Sequence, residues 1–169
     1  MLIDCLYFTD GPRHIMNATL GEMPNPNAEE VNAAIEAYIA RWQWPFLKGV
    51  LGVELAKAAT EYLERISSGD NDEPDLELDM VLEQLKEPFA NYVFCKILRD
   101  ANSQATMTGL VRLKCANEYV APVKRQVSAW NDMVDMLADF VQWCGTSDCG
   151  IAGIETERDF LTKINSFNL

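Results

Sequence analysis

The chain has a single histidine, His14, in 169 residues. Every metal motif built on a histidine pair, and every relay that needs a second histidine, is thereby excluded. Positive charge is also scarce: 14 lysines and arginines face 26 acids, for a formal net charge of −12. Such a surface disfavours nonspecific attachment to phosphate backbones or anionic lipid. The best basic cluster, Lys124 and Arg125, is too small for a nucleic-acid footprint. Five cysteines (Cys5, Cys95, Cys115, Cys144 and Cys149) are odd in number and hold no C-x-x-C pair. They indicate neither a disulfide framework nor a zinc knuckle, and a reducing compartment is the simplest reading. The sequence has no glycine-rich phosphate loop and no nucleophile elbow. It has no apolar run of membrane-spanning length, and no basic n-region with an apolar run at Met1-Leu2-Ile3-Asp4-Cys5. The expectation is a soluble protein that is not secreted by a signal peptide.

What the chain does have is helical patterning. Nearly half of the residues are hydrophobic, and the length suits one domain with a real core. From Val123 to Cys144, the residues Val123, Val127, Trp130, Val134, Leu137, Val141 and Cys144 recur at alternating steps of four and three. That spacing puts them on one helical stripe, which must be buried. The helix opens near Ala121-Pro122 and stops at Gly145.

Three earlier helices read the same way. Asn27 is a plausible N-cap, with Glu29 and Glu30 in the first turn and Val31, Ala34, Ile35, Tyr38, Ile39 and Trp42 on the apolar face. Pro45 ends or bends that helix. The second runs from Phe46 or Gly52 to Ile66, burying Leu51, Leu55, Ala59, Tyr62, Leu63 and Ile66, and Ser67-Ser68-Gly69 closes it. The third runs from about Asp75 to Asp100, burying Leu78, Val81, Leu82, Leu85, Phe89, Tyr92, Val93 and Ile97, with a kink expected at Pro88.

The fold class is therefore mainly α: a bundle of about four helices, with a long irregular or hairpin excursion between the last two and extended termini. Residues 1–27 read as an extended N-terminal arm with one short strand at Leu2–Phe8. Residues 28–145 form the bundle domain. Residues 146–169 form a C-terminal tail that must dock on its own domain, dock on a neighbour, or stay loose.

Chemistry-bearing constellations are few. The acidic run Asp70, Asp72, Glu73, Asp75, Glu77 and Asp79 fails the calcium-loop pattern, because Asp75 stands where glycine is needed and Val81 where the bidentate glutamate is needed. It reads as a solvated loop entering a helix N-terminus. His14 lies in the arm, and a Cys–His nucleophile pairing is only formally open to it. Cys144 and Cys149 flank a helix end, where a redox pair is an option. No catalytic residue, metal ligand or cofactor site is assigned. Of the four tryptophans, Trp42 and Trp130 fall on apolar stripes. Trp44 and Trp143 fall off them, where a tryptophan packs on a loop or anchors an interface.

Two stretches carry a resemblance. One is Ile35-Glu36-Ala37-Tyr38-Ile39, then Phe46-Leu47-Lys48-Gly49-Val50-Leu51-Gly52, then a helix ending Tyr62-Leu63. The other is Met107-Thr108-Gly109-Leu110, followed after a spacer by Val127-Ser128-Ala129-Trp130-Asn131-Asp132-Met133-Val134. Together, over residues 28 to 144, they resemble the head–tail connector (adaptor, head-completion) proteins of tailed bacteriophages and prophages, especially forms met in gut Bacteroidales elements. The proline-rich arm and the cysteine-containing tail depart from that pattern.

The resemblance implies a structural role: a ring oligomer of this chain beneath the portal, with portal or tail proteins as partners. It implies assembly in the bacterial host cytoplasm, then a place in the virion, with no cofactor, no specific nucleic-acid binding and no membrane. Candidate interface residues are Trp44, Met107, Leu110, Val111, Leu113, Trp143, Phe160, Leu161, Ile164 and Phe167. Another class stays open, an acidic intracellular binding protein that mimics DNA or inhibits a host protein. An enzyme has least support, since no convergent catalytic set is visible.

Overall fold

A computed structural model describes residues 1–16, 18, 26–69, 74–101, 103–106, 109–112, 122–146 and 149–166. Four helices make up most of it: α1 (Pro26–Leu51), α2 (Val53–Ser67), α3 (Leu76–Ala101) and α4 (Pro122–Cys144). Between α3 and α4 stands an antiparallel hairpin, β1 (Ser103–Thr106) and β2 (Gly109–Arg112), with Ser103 opposite Arg112 and Thr106 opposite Gly109. The expected architecture of a helical bundle with an excursion between its last two helices is what the chain forms.

Helix boundaries follow local chemistry. Pro26 opens α1 at a position where a missing N–H costs nothing, so Asn27 lies inside the helix instead of capping it. Pro45 does not end α1. Interior proline costs about 3 kcal/mol, but the turns around it bury Phe46, Leu47, Val50 and Leu51, which outweighs the lost bond. The helix stops at Gly52, whose φ of +80° suits glycine. Ser67-Ser68-Gly69 does close α2, with both serine hydroxyls donating to carbonyls of the last turn, Leu63 and Arg65. The Asp75 carboxylate accepts the Leu78 N–H at 3.0 Å and caps α3. α3 runs on through Pro88 without interruption.

The core lies where α1, α3 and α4 meet. Tyr38 reaches Asp100, Trp42 meets Tyr92, and Phe46 meets Phe89, so α1 and α3 run antiparallel. Asn91 bonds Met136 and the Arg125 guanidinium lies over the Phe94 ring, so α3 and α4 are antiparallel too, and they form the most extensive helix pair.

The expected burial pattern needs correction on α4 and at the end of α2. The buried face of α4 is Gln126, Ala129, Met133, Val134, Leu137 and Phe140. It is rotated by about half a residue step from the predicted stripe. Trp130 is only half-buried, and Val141 is 37% exposed. The reason is that α4 has two coverings: α3 on one side, and the C-terminal segment over Trp130 on the other. Ile66, at the end of α2, is exposed rather than buried.

The N-terminal residues also differ from the extended arm and strand expected of them. They form 3-10 turns at Cys5–Phe8 and Gly11–Arg13, and Leu2, Ile3, Cys5 and Phe8 enter the core. Apolar side chains in the arm favour burial over an extended, solvated chain, and burying Phe8 alone is worth roughly 1.5–3 kcal/mol. Among the described residues, no helix is long and apolar enough to cross a membrane.

The rotation of α4 is testable. Leu137→Ala should cost about 2–5 kcal/mol, whereas Val141→Ala should stay within roughly 0.5 kcal/mol. Denaturant midpoints of the two variants measure both; equal losses would restore the stripe predicted from spacing.

Candidate functional site

The C-terminal segment 150–166 has almost no regular structure of its own, only a 3-10 turn at Arg158–Leu161. It holds to the bundle through its neighbours' polar groups. The Glu157 N–H donates to the Gly49 carbonyl at 2.7 Å, and the Thr156 hydroxyl donates to the Val50 carbonyl at 2.9 Å. These are carbonyls of the last α1 turn, which lack intrahelical partners once Gly52 ends the helix. On α4, Trp130 Nε1 donates to the Thr162 carbonyl at 2.9 Å. Asn131 clamps Ile164 from both sides, accepting its N–H and donating to its carbonyl. Of the alternatives for the tail, docking on its own domain is the one realised.

Phe160 is the anchor of this segment. Its ring lies among Phe46, Tyr92 and Trp130, with centroids 5.9, 5.5 and 6.4 Å away. It also lies so close to Gly49 that a side chain at that position would clash with the ring. Phe160 is thus part of the core, which removes it from the candidate interface. Leu161 is half-buried against the same core, and Ile164 is half-buried beside Asn131.

The other candidate interface residues divide. Trp44 is 40% exposed on α1. Trp143 is half-buried, with its ring 6.0 Å from Phe140. Leu110 and Val111 belong to β2, paired through the backbone with Ala105 and Gln104. Met107, Leu113 and Phe167 lie outside the described residues, as do Asp70, Asp72, Glu73 and Cys115. Spacing did not mark Leu76 and Met80 as surface residues, yet they stand one turn apart on α3 with Leu76 70% exposed.

Lys96 is a side chain that the sequence reading missed. Its ammonium lies 4.8, 4.6 and 5.6 Å from the ring centroids of Trp42, Tyr92 and Trp130, each on a different helix. Burial, then the nearby Arg99, pushes its pKa down, while three aromatic faces favour the charged form. The signal was its position one turn after Tyr92, on an apolar face where a lysine is out of place.

A second polar seam fixes the N-terminal residues. Arg13 pairs with Glu87 at 2.7 Å and donates to Asn91 Oδ1 at 3.0 Å; Arg125 donates to the Pro12 carbonyl at 2.8 Å. Arg13, Asn91 and Arg125 line a cleft of about 300 Å³ together with Asp132. Each guanidinium helps to hold the chain together, and Glu87 balances the charge of Arg13. His14, next to Arg13, is exposed.

Burial shifts several titratable groups. Burial pushes the Tyr92 phenol up to about 12 and the Cys95 thiol upward, so both stay protonated at neutral pH. Asp100 is held low: burial alone would raise it, but hydrogen bonds from Arg99 and Tyr38 outweigh that, and the Tyr38 bond ties α1 to α3. Among the described residues, no group of three or more His, Cys, Asp or Glu side chains is placed to hold a metal ion. Comparison with protein-family models, with curated proteins and with solved structures finds no match to this chain.

The Phe160–Gly49 contact has a measurable signature. At an open helical site, Gly→Ala gains about 1 kcal/mol. Here Gly49→Ala should instead cost about 1–3 kcal/mol by overpacking. In a Phe160→Ala background the same change should turn neutral or stabilising. A double-mutant cycle by chemical denaturation reads the coupling; additive effects would mean that the ring does not rest on Gly49 in solution.

Proposed function

We propose that the protein is a structural virion-assembly subunit, a head–tail connector that closes into a ring under the portal of a tailed phage or prophage. The observation that carries this reading is the hairpin Ser103–Arg112, inserted between the two most closely packed helices, α3 and α4. It falls in the stretch where the resemblance places an irregular segment. A two-stranded hairpin is at best marginally stable alone and gains from packing on another surface. A subunit that assembles presents such a segment outward and keeps its rigid bundle behind it.

Two further features support the reading. Trp44, Leu76 and Met80 leave apolar surface on the bundle, as side-to-side contacts in a ring require. The net charge of −12 suits a channel wall that passes DNA without gripping it. The tail is assigned a different part from the hairpin: with Phe160 in the core, it completes the subunit, and the ring contacts fall to the hairpin and the exposed apolar residues.

The paired substitution Leu110→Asp and Val111→Asp, introduced into a phage or prophage carrying this gene, separates folding from assembly. The variant protein should keep its helical circular dichroism and melting temperature, while the yield of infectious particles falls by orders of magnitude. Unchanged yield would remove the hairpin from the interface. Full yield after deletion of the whole gene would remove the connector reading itself. Tight one-to-one capture of a basic host protein, without self-assembly, would favour the acidic inhibitor instead.

A further inference from the structure

Pro12 and Arg13 of the N-terminal turn join α3 and α4 in lining the cleft of about 300 Å³, at the small end of the range for small-molecule sites. α3 supplies Asn91 and Phe94, three residues apart. α4 supplies Arg125, Ser128 and Asp132 at steps of three and four, so each set shares one helix face. The polar groups there keep capacity that the fold does not use. Asn91 is 5% exposed, and its Oδ1 accepts from Arg13. Its Nδ2 donates only to the Met136 sulfur, at 3.5 Å, so one amide N–H has no acceptor among the described residues. Arg125 donates through Nη2 to the Pro12 carbonyl, and its Cζ lies 5.1 Å from the Phe94 ring centroid. Among the described residues, no carboxylate pairs with it.

We propose that this cleft binds a free apolar α-amino acid as its zwitterion. The charges in the cleft set the class of ligand. Glu87 neutralises Arg13, which leaves Arg125 and Asp132 as one positive and one negative group without an ionic partner. A bare anion would be repelled by Asp132, and a bare amine by Arg125; a zwitterion meets both with opposite charge. The ligand carboxylate accepts from the remaining N–H groups of Arg125 and from the spare N–H of Asn91. The ligand ammonium donates to the Asp132 carboxylate.

The spacing suits a short zwitterion. The Ser128 hydroxyl donates to Asp132 Oδ2 at 3.4 Å, which inclines that carboxylate toward Ser128. Ser128 is one turn from Arg125, about 4.5 Å of helical rise. An α-amino acid carries both of its charges on one carbon and fits between groups held that close. Phe94 and Ala129, both buried, form an apolar wall with Pro12, against which an aliphatic side chain packs. Binding here neither requires nor excludes assembly into a ring.

L-leucine is titrated into the full-length protein and followed by calorimetry and by amide-resolved NMR. Saturable shifts should appear at the amides of Asn91, Ser128 and Asp132. Leucinamide, which lacks the carboxylate, and N-acetyl-L-leucine, which lacks the ammonium, should each bind about tenfold more weakly, the loss expected for one charge-assisted bond. Asp132→Asn keeps the shape of an exposed side chain. It should leave the melting temperature unchanged and weaken L-leucine by a similar factor. The proposal is overturned if L-leucine gives no saturable shift at these amides, or if leucinamide or N-acetyl-L-leucine binds as tightly. Tighter binding of inorganic phosphate than of L-leucine, or unchanged binding by Asp132→Asn, overturns it too.

Discussion

One close approach organises this molecule: the Phe160 ring lying on the bare backbone of Gly49. A glycine inside a helix is a local weakness, worth about 1 kcal/mol against alanine. Here the missing side chain leaves a flat seat on α1, and an aromatic ring from the far end of the chain fills it. From that seat the ring touches Phe46 on α1, Tyr92 on α3 and Trp130 on α4. A segment with almost no helix of its own thereby joins three helices. Its backbone in turn satisfies groups at both ends of the contact, the carbonyls of Gly49 and Val50 and the side chains of Trp130 and Asn131. The position of α4 depends on this arrangement as well. Its buried face is split between α3 and the C-terminal segment, and Lys96 sits beneath the same aromatic group with its ammonium over Trp42, Tyr92 and Trp130.

Much of the fold was legible because the helices obey local rules. The inner face of α3, from Val81 through Val93, was read correctly from periodicity alone, and Asp75 and Ser67-Ser68-Gly69 behave as their chemistry dictates. What periodicity cannot supply is the direction from which a face is covered. The row through Trp130 and Val141 and the row through Met133 and Phe140 differ by one residue, and both satisfy three–four spacing. The choice between them depends on the C-terminal segment, more than twenty residues further on for Trp130. Pro45 shows the same limit in reverse: a local rule left an end or a bend open there, and with Phe46 and Leu47 buried the helix runs on. The seat for Phe160 was hidden for a related reason. A glycine in an apolar run carries no mark of what lies against it, and the weak amphipathicity of Phe160, Leu161 and Ile164 looked like free surface.

The terminal segments are thus differently placed than the sequence suggested. Both termini are structural: Leu2 and Phe8 at one end and Phe160 at the other are core residues, held by Arg13–Glu87 and by the Asn131 clamp. Trp44, Leu76 and Met80 on the helices remain exposed, and the hairpin stands between α3 and α4.

The central claim is that residues 150–166 belong to the folded subunit in solution. Native-state amide hydrogen exchange, read residue by residue by NMR, tests it most directly. The amides of Glu157 and Ile164 donate to Gly49 and Asn131 and should exchange as slowly as those of Phe89 and Val93 in the middle of α3. Exchange of Glu157 and Ile164 at the rate of an unstructured chain, with α3 still protected, would contradict the account.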